Sequence, residues 1–148
     1  RREFIADQIM GAISTGRVDF ISEGVDSYAR MTGNVSLENN GGFIQIRRAV
    51  ENYFKEPSEG IELNIRGNNQ QYFVHIKTTG TYLPWQYYQA PISTTSEWQL
   101  VKVPFSNFAR SSGWFARKIS ASKIRSIGIV AFGKEHDVKI DVKNIAIY

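Results

Sequence analysis

Few side chains in this sequence could support covalent chemistry, and they form no catalytic set. Two acids, Glu38 and Glu62, lie in or beside predicted strands, and a carboxylate pair facing one cleft could hydrolyse glycosides. Cysteine is absent, so cysteine-based zinc sites are excluded, and the two histidines, His75 and His136, are too few for a metal site made of histidines alone. The sequence contains no Gly-x-Ser-x-Gly turn and no phosphate-binding glycine loop. We therefore predict that the protein is not an enzyme and uses no cofactor; the sequence assigns no metal ligand.

The aromatic segment Tyr82-Leu-Pro-Trp-Gln-Tyr-Tyr-Gln-Ala90 indicates a different chemistry, that of non-covalent recognition. Exposed rings stack on the CH faces of pyranoses, and amide and guanidinium groups bond the sugar hydroxyls. Rings at this density are also common in a hydrophobic core. Both interpretations of the segment stay open at this stage.

The elements that must position these groups are β-strands. Apolar and polar residues alternate over residues 61–66, 98–105 and 138–148, and a continuous apolar run covers 127–132. Alternation with a period of two places successive side chains on opposite faces of a sheet. Clusters of Gly, Asn, Pro and Ser separate the runs, as in 57–60 and 67–69, and no long stretch has helical periodicity. About nine short strands at this spacing predict an all-β sandwich or barrel, formed by residues 1–148 as a single domain.

The alternation also predicts which polar side chains share a surface. If Ile61, Leu63 and Ile65 face the core, their neighbours face outward, and the same argument applies to the strands around Ile44, Val74 and Ala90. The outward set is polar and planar, and we predict that it lines one concave face as a ligand- or partner-binding site: Gln45, Arg47, Asn64, Arg66, His75, Tyr87 and Gln89. Four aromatic residues are predicted to pack in the core or at corners instead: Phe43, Trp98, Phe105 and Phe108.

The net positive charge is carried by the second half of the chain, because most acidic residues lie in the first half. The formal net charge is +4, and six basic residues without an acid lie between Ala109 and Lys134. Such a stretch could steer an acidic partner, although most charge runs are simply solvated. No nucleic-acid recognition motif accompanies it, so nucleic acid ranks low among the partners. No apolar run reaches 18 residues, so no membrane span is predicted.

Motifs spread along almost the whole chain form one further pattern. They are Asp7-Gln-Ile-Met-Gly11, Ser14-Thr-Gly-Arg17, Gly33-Asn-Val-Ser-Leu-Glu-Asn-Asn-Gly-Gly-Phe43, Gly60-Ile-Glu-Leu-Asn-Ile-Arg-Gly67, Tyr72, Tyr88-Gln-Ala90, Trp98-Gln99, Pro104-Phe105-Ser106, Phe108 and Ile127-Gly128. This pattern resembles the complex I intermediate-associated protein 30 family. The resemblance implies a galactose-binding-like jelly-roll sandwich of two antiparallel sheets. It also implies a chaperone-like assembly role, because the mitochondrial members are assembly factors for respiratory complex I.

Two functions follow as expectations. The resemblance favours a protein-binding or assembly-factor-like module, with respiratory-complex subunits among the candidate partners. The fold and the aromatic segment favour a carbohydrate-binding module that recognises glycans on a polar and aromatic face.

Overall fold

Eleven β-strands and two single-turn 3₁₀ helices make up the regular structure of the residues that the computed structural model describes, which are 5–9, 15–36, 42–50, 54–134 and 136–148. The strands are β1 (Ile5–Ile9), β2 (Thr15–Glu23), β3 (Asp26–Val35), β4 (Phe43–Ala49), β5 (Gly60–Arg66), β6 (Gln71–Thr78), β7 (Tyr88–Ser93), β8 (Gln99–Pro104), β9 (Ala109–Arg110), β10 (Ile124–Phe132) and β11 (His136–Ile147). The 3₁₀ helices are Phe105–Asn107 and Ala121–Lys123. Within these residues no helix is long and apolar enough to cross a membrane.

The strands form two antiparallel sheets. The first sheet has the order β1-β4-β10-β6-β7-β9, and the second has the order β2-β3-β11-β5-β8. Strands β2 and β3, and β6 and β7, are consecutive in the chain, whereas most other neighbours are far apart, as when β11 inserts between β3 and β5. The two sheets pack as a jelly-roll β-sandwich, which confirms the predicted fold class.

The core lies between the sheets and consists of the apolar members of each alternating strand. Ile61, Leu63 and Ile65 of β5 are fully buried, and Val74 and Ile76 of β6 face them from the other sheet. Burial of large aliphatic side chains contributes roughly 1.5–3 kcal/mol each, which is the main reason that the alternation specifies the sheet faces. The predicted facing of β5 and β6 is therefore confirmed.

Tyr72 connects the two sheets by hydrogen bonds inside this core. Its ring is completely buried, and its hydroxyl accepts a bond from the backbone N–H of Lys139 in β11 at 3.0 Å. The hydroxyl lies 2.6 Å from Oδ1 of Asn68, to which it donates. Burial raises the pKa of Tyr72 to about 12, so the hydroxyl stays protonated and keeps its donor.

The strand predictions are confirmed for β5, β6, β8, β10 and β11, and three strands were not foreseen. Strands β1 and β2 lack a clear alternating pattern, and β9 has only two residues. All three are edge strands, and edge strands in general bury less surface and therefore carry a weaker apolar signal. The prediction that Phe105 and Phe108 pack at the core is also confirmed, since both contact it while partly buried.

Candidate functional site

A cleft of about 1060 Å³ lies on the outer face of the first sheet, opposite the core. Its floor is formed by β10, where Ser126, Gly128 and Val130 present small side chains between two higher walls. The residues that line the cleft are Phe43, Gln45, Arg47, Ala49, His75, Lys77, Thr81, Tyr82, Pro84, Trp85, Tyr87, Arg125, Ser126, Gly128, Val130 and Phe132. Successive side chains of the continuous apolar run of 127–132 thus point in turn into the core and towards the cleft.

The strand register fixes which side chains face one another across this floor. Gly128 is paired with Arg47 of β4 on one side and with His75 of β6 on the other. Because glycine carries no side chain, Oε1 of Gln45 can lie close above Gly128, 3.3 Å from the place that a Cβ would occupy. Two residues before Gly128 in β10, Ser126 is paired with Lys77 of β6. A β-bulge at this point lets Arg125 line the same cleft as its neighbour Ser126, whereas a regular strand would direct the two to opposite faces.

His75 is held in one orientation by its neighbours. Its Nε2 lies 2.7 Å from Oε1 of Gln89, and since an amide oxygen only accepts, Nε2 donates. The imidazole stacks on Tyr87 with ring centroids 4.2 Å apart and an interplanar angle of 13°. Burial lowers the pKa of His75 to about 4, so the ring is neutral at pH 7. The trio therefore presents a rigid, uncharged, planar surface on one wall of the cleft.

The loop of residues 79–87, which joins β6 to β7 and is named here the aromatic loop, forms the rim of the cleft. Lys77 holds the aromatic loop in place by three hydrogen bonds. Its Nζ donates to the carbonyl oxygens of Leu83 and Pro84 at 3.2 Å and of Gln86 at 2.9 Å. An ammonium group has three N–H donors, so all of them are used within the protein.

Further hydrogen bonds hold the aromatic loop at both ends. Thr81 Oγ1 donates to the carbonyl of Thr78 and accepts from its N–H, both within 3.1 Å. At the other end Ser111 Oγ donates to the carbonyl of Trp85 at 2.7 Å and accepts from the N–H of Tyr87 at 2.9 Å. A loop fastened at so many points presents its side chains with little loss of conformational entropy on binding.

Two rings of the aromatic loop extend into solvent. The side chain of Tyr82 is 83% exposed and that of Trp85 is 62% exposed, although both line the cleft. Large aromatic side chains are usually buried or packed on a neighbour, so two exposed rings beside one cleft are typical of a binding surface. The alternative that rings of this segment belong to the core is wrong for Tyr82 and Trp85 but is confirmed for Tyr88, which is 2% exposed and part of the hydrophobic core.

Five of the seven predicted site residues meet on this sheet. Gln45, Arg47, His75 and Tyr87 line the cleft, and Gln89 supports His75 from β7. Their role in binding stays a prediction.

The prediction that Asn64 and Arg66 share this face is wrong, because β5 belongs to the second sheet and their side chains lie on the opposite side of the sandwich. Alternation fixes the inward or outward direction of a side chain but does not identify the sheet to which a strand belongs.

Arg66 instead belongs to an ion cluster on the outer face of the second sheet. Its Nε donates to Oδ2 of Asp141 at 2.7 Å, while Arg30 makes two hydrogen bonds to the same carboxylate at 2.7 and 3.0 Å. Asp141 is only 1% exposed. Burial raises its pKa, but the hydrogen bonds from Arg30 and Arg66 outweigh burial and hold the pKa below its ordinary value. The carboxylate thus joins the central strands β3, β11 and β5.

Two aromatic residues predicted to pack in the core or at corners have other surroundings. Phe43 lines the cleft near Phe132. Trp98 lies on the outer face of the second sheet, where Arg66 and Lys143 approach its ring to 4.7 and 4.2 Å. The predicted positions of Phe43 and Trp98 were wrong in this respect because both rings lie at strand ends. The sequence does not show which surface the fold brings next to such a ring.

The structure describes one of the two acids considered for glycoside hydrolysis. Glu62 lies on β5, away from the cleft, with its Oε1 4.0 Å from Nζ of Lys102. Glu38 lies outside the described residues, as do residues 10–14 and the 37–41 part of the family motif that runs from Gly33 to Phe43. No group of three or more His, Cys, Asp and Glu side chains that could hold a metal ion occurs among the residues with described positions.

Several cleft residues were not among the predicted site residues. The alternation that directs His75 outward directs Lys77 outward as well, and it lines the cleft. Arg125 and Ser126 also carry polar groups into the cleft, and Tyr82 and Trp85 form its rim. The density of aromatic residues in 82–90 was the available signal for the rim. Nothing in the sequence signals the bulge that brings in Arg125.

The two packed antiparallel sheets place this chain among jelly-roll β-sandwich domains. The family 11 carbohydrate-binding module from Clostridium thermocellum, solved with a β-1,3-1,4-mixed-linked tetrasaccharide, superimposes with a TM-score of 0.78 at 14% identity, covering 97% of this chain and 87% of that chain. A carbohydrate-binding module named TmCBM61, solved with β-1,4-galactotriose, gives a TM-score of 0.51 at 10% identity, covering 98% and 87%. An agarase gives a TM-score of 0.60 at 11% identity, covering 93% of this chain but 23% of the agarase. At these identities the similarity concerns the fold.

The family is established by sequence. The model of the complex I intermediate-associated protein 30 family matches residues 2–142, and the chain belongs to this family. No curated protein matches the chain in a direct sequence comparison.

Proposed function

We propose that this protein is a non-catalytic glycan-binding module whose ligand lies in the cleft of the first sheet. The observation that carries the proposal is the pair of exposed rings, Tyr82 and Trp85, held by the fastened aromatic loop beside an open cleft. A ring presented in this way can cover the apolar face of a pyranose and remove both surfaces from water. Relatives in fold were solved with oligosaccharides, which supports the same ligand class.

The polar groups of the cleft suit the hydroxyl groups of a sugar. Gln45 offers an amide that both donates and accepts, and Arg47 offers planar donors. His75 and Gln89 are already paired with each other, so we assign them to shaping the wall on which a sugar ring packs. The floor runs along β10 from Ser126 to Val130, and a floor that follows a strand suits a linear oligosaccharide better than a single sugar.

The side chains that line the cleft support a function without catalysis. Among the described residues that line it, no Asp or Glu is present, whereas glycoside hydrolysis requires two carboxylates on either side of the bond. Binding without turnover is the function that these side chains support.

Affinity electrophoresis against a panel of soluble polysaccharides tests the proposal. At least one polysaccharide should retard the wild-type chain, and Trp85→Ala should weaken that binding at least about tenfold because a central aromatic contact is lost. Trp114→Ala is the matched control, since Trp114 is 89% exposed but does not line the cleft. Retention unaffected by Trp85→Ala, or no binding to any polysaccharide of the panel, would show that the cleft is not a glycan site.

Protein binding is the second candidate, and the observation behind it is family membership together with the apolar character of the aromatic loop. The family name refers to association with intermediates of complex I, so respiratory-complex subunits are the first partners to test. Tyr82, Leu83 and Trp85 together expose an apolar patch of the kind found at the centre of protein interfaces. Capture of such a subunit by the wild-type chain, lost in Trp85→Ala and kept in Trp114→Ala, would favour this function over glycan binding.

A further inference from the structure

A second cleft, named here the edge cleft, lies at the side of the sandwich where β8 and β9 are the last strands of the two sheets. Its volume is about 980 Å³. It is lined by the turn before β5, by the segment from the end of β8 to β9, and by parts of residues 112–119. None of the residues assigned above to the binding of a glycan or a protein lines it.

Two phenylalanine rings form an apolar part of the edge cleft. Phe105 and Phe108 both line it, and both are partly buried because they also pack against the core. Rings that are anchored in the core lose little conformational freedom when a ligand packs on them. An apolar side chain of a ligand therefore has a fixed surface to contact here.

Arg110 presents a guanidinium group that the protein itself holds in the edge cleft. Its Nη1 donates to the carbonyl oxygen of Phe115 at 2.8 Å and more weakly to that of Gly113 at 3.5 Å. Both acceptors are neutral, so they orient the guanidinium group without cancelling its charge. A carboxylate can bind the other edge of the group, through Nε and Nη2, with two parallel hydrogen bonds. Ser112 also lines the edge cleft, and its buried Oγ has no hydrogen-bond partner among the described residues.

Positive charge exceeds negative charge around this guanidinium group. Arg117 and Lys118 line the edge cleft as well, and Glu59 is the acid of its described lining. Hydrogen bonds from the 3₁₀ helix before β10 lower the pKa of Glu56, and the charge of Lys118 lowers it further, so Lys118 already has a nearby counter-charge. Arg110 and Arg117 form no ion pair with any acid whose position is described. One positive charge is therefore left over when Glu59 is counted.

Strand β9 offers backbone groups beside Arg110. It pairs with β7 on one side and ends the sheet on the other. The N–H of Ser111 bonds to the carbonyl oxygen of Tyr87. Because residues of an antiparallel strand bond alternately to one side and the other, the backbone groups of Arg110 point to the open edge. A polypeptide can pair its own backbone with such an edge, whereas Pro104 of β8 has no N–H to offer.

We propose that the edge cleft binds an extended acidic peptide segment of a partner protein, with a carboxylate at Arg110 and an apolar side chain on the two phenylalanine rings. Side chains two residues apart in an extended chain point the same way, so an acidic and an apolar residue at that spacing enter the edge cleft together. The site is separate from the cleft of the first sheet, and the inference does not depend on glycan binding.

Fluorescence polarisation with labelled peptides tests the inference. The probe is Ser-Glu-Ser-Leu-Ser-Glu-Ser-Leu-Ser, which places its glutamates and leucines on one face of an extended chain. In one matched peptide glutamine replaces glutamate, and in the other serine replaces leucine. The probe should bind at least about tenfold more tightly than either matched peptide at low salt. Its advantage over the glutamine peptide should fall at 1 M NaCl, where charges are screened within about 3 Å.

Single substitutions of opposite sign locate the site. Arg117→Gln should weaken binding of the probe about three- to tenfold, and Glu59→Gln should strengthen it about two- to threefold because a like charge is removed. Arg110→Lys keeps the charge but loses the planar fork, so it should also weaken binding. Arg17→Gln is the matched control, since Arg17 is an exposed arginine on β2, at the opposite edge of the second sheet from β8.

The outcomes separate the inference from the proposed function. If Trp85→Ala weakens binding of the probe as strongly as Arg117→Gln, the peptide lies in the cleft of the first sheet and the inference is wrong. Equal losses in Arg117→Gln and Arg17→Gln would show attraction by net charge alone, which also overturns it, as does a probe that does not bind. Binding of the probe with the expected pattern, in a protein that binds no polysaccharide, would support the edge cleft and reject only glycan binding.

Discussion

The buried imidazole of His75 predicts a specific dependence of stability on pH. In the folded state burial lowers its pKa from 6.5 to about 4, whereas in the unfolded chain the pKa returns to its ordinary value. Between these values the unfolded chain binds the proton and the folded chain does not. Stability is therefore complete above about pH 6.5 and falls as the pH drops towards 4.

The magnitude follows from the size of the shift. A depression from 6.5 to about 4 is equivalent to about 3 kcal/mol when it is fully expressed, and about 2 kcal/mol of that is lost on going from pH 7 to pH 5. A domain of this size has a free energy of unfolding of roughly 5–15 kcal/mol, so the loss is large enough to measure.

Urea denaturation at pH 7 and pH 5 provides the assay, with His75→Gln as the comparison. The variant keeps a polar side chain opposite Gln89 but does not titrate, so its stability should fall by about 2 kcal/mol less than that of the wild type. The carboxylates that titrate near pH 5 are shared by both proteins and cancel in the difference. An NMR titration of the ring gives a measurement that does not depend on the variant. Equal pH slopes in the two proteins, or a ring that titrates near 6.5, would refute the reasoning.

Three further predictions concern single side chains. Asp141→Asn should lower the free energy of unfolding by about 3 kcal/mol in a urea melt, because two guanidinium groups lose their buried carboxylate; a change below 1 kcal/mol would contradict a structural role. Tyr72→Phe should cost about 1–3 kcal/mol by calorimetry, since a buried backbone N–H loses its acceptor. Lys77→Met should speed amide hydrogen exchange in the aromatic loop while the β5 amides stay protected; unchanged exchange in 79–87 would show that Lys77 does not hold the loop.

The polarity of each strand face could be predicted from the sequence because it depends on local periodicity. Residues Gln45, Arg47, His75 and Gln89 alternate with apolar neighbours, and a side chain next to a core residue in a strand must point away from the core. The family motifs added the jelly-roll arrangement, which alternation alone does not distinguish from a barrel.

The composition of the cleft was decided by tertiary structure. Asn64 and Arg66 have the same local pattern as Gln45 and Arg47, yet β5 pairs with β11 and β8 in the second sheet. Pairing between strands far apart in the chain depends on the packing of the whole sandwich, for which a single strand carries no signal.

What the sequence by itself determined, then, is the set of outward polar residues, the aromatic density of 82–90 and the absence of a recognisable catalytic motif. The tertiary structure decided that Trp85 is exposed at a rim and that a bulge directs Arg125 into the cleft. It also decided that Lys77 donates three hydrogen bonds to the loop that carries Tyr82 and Trp85. The physical reason is that periodicity is a property of neighbouring residues, whereas a binding cleft is formed by contacts between strands that only folding brings together.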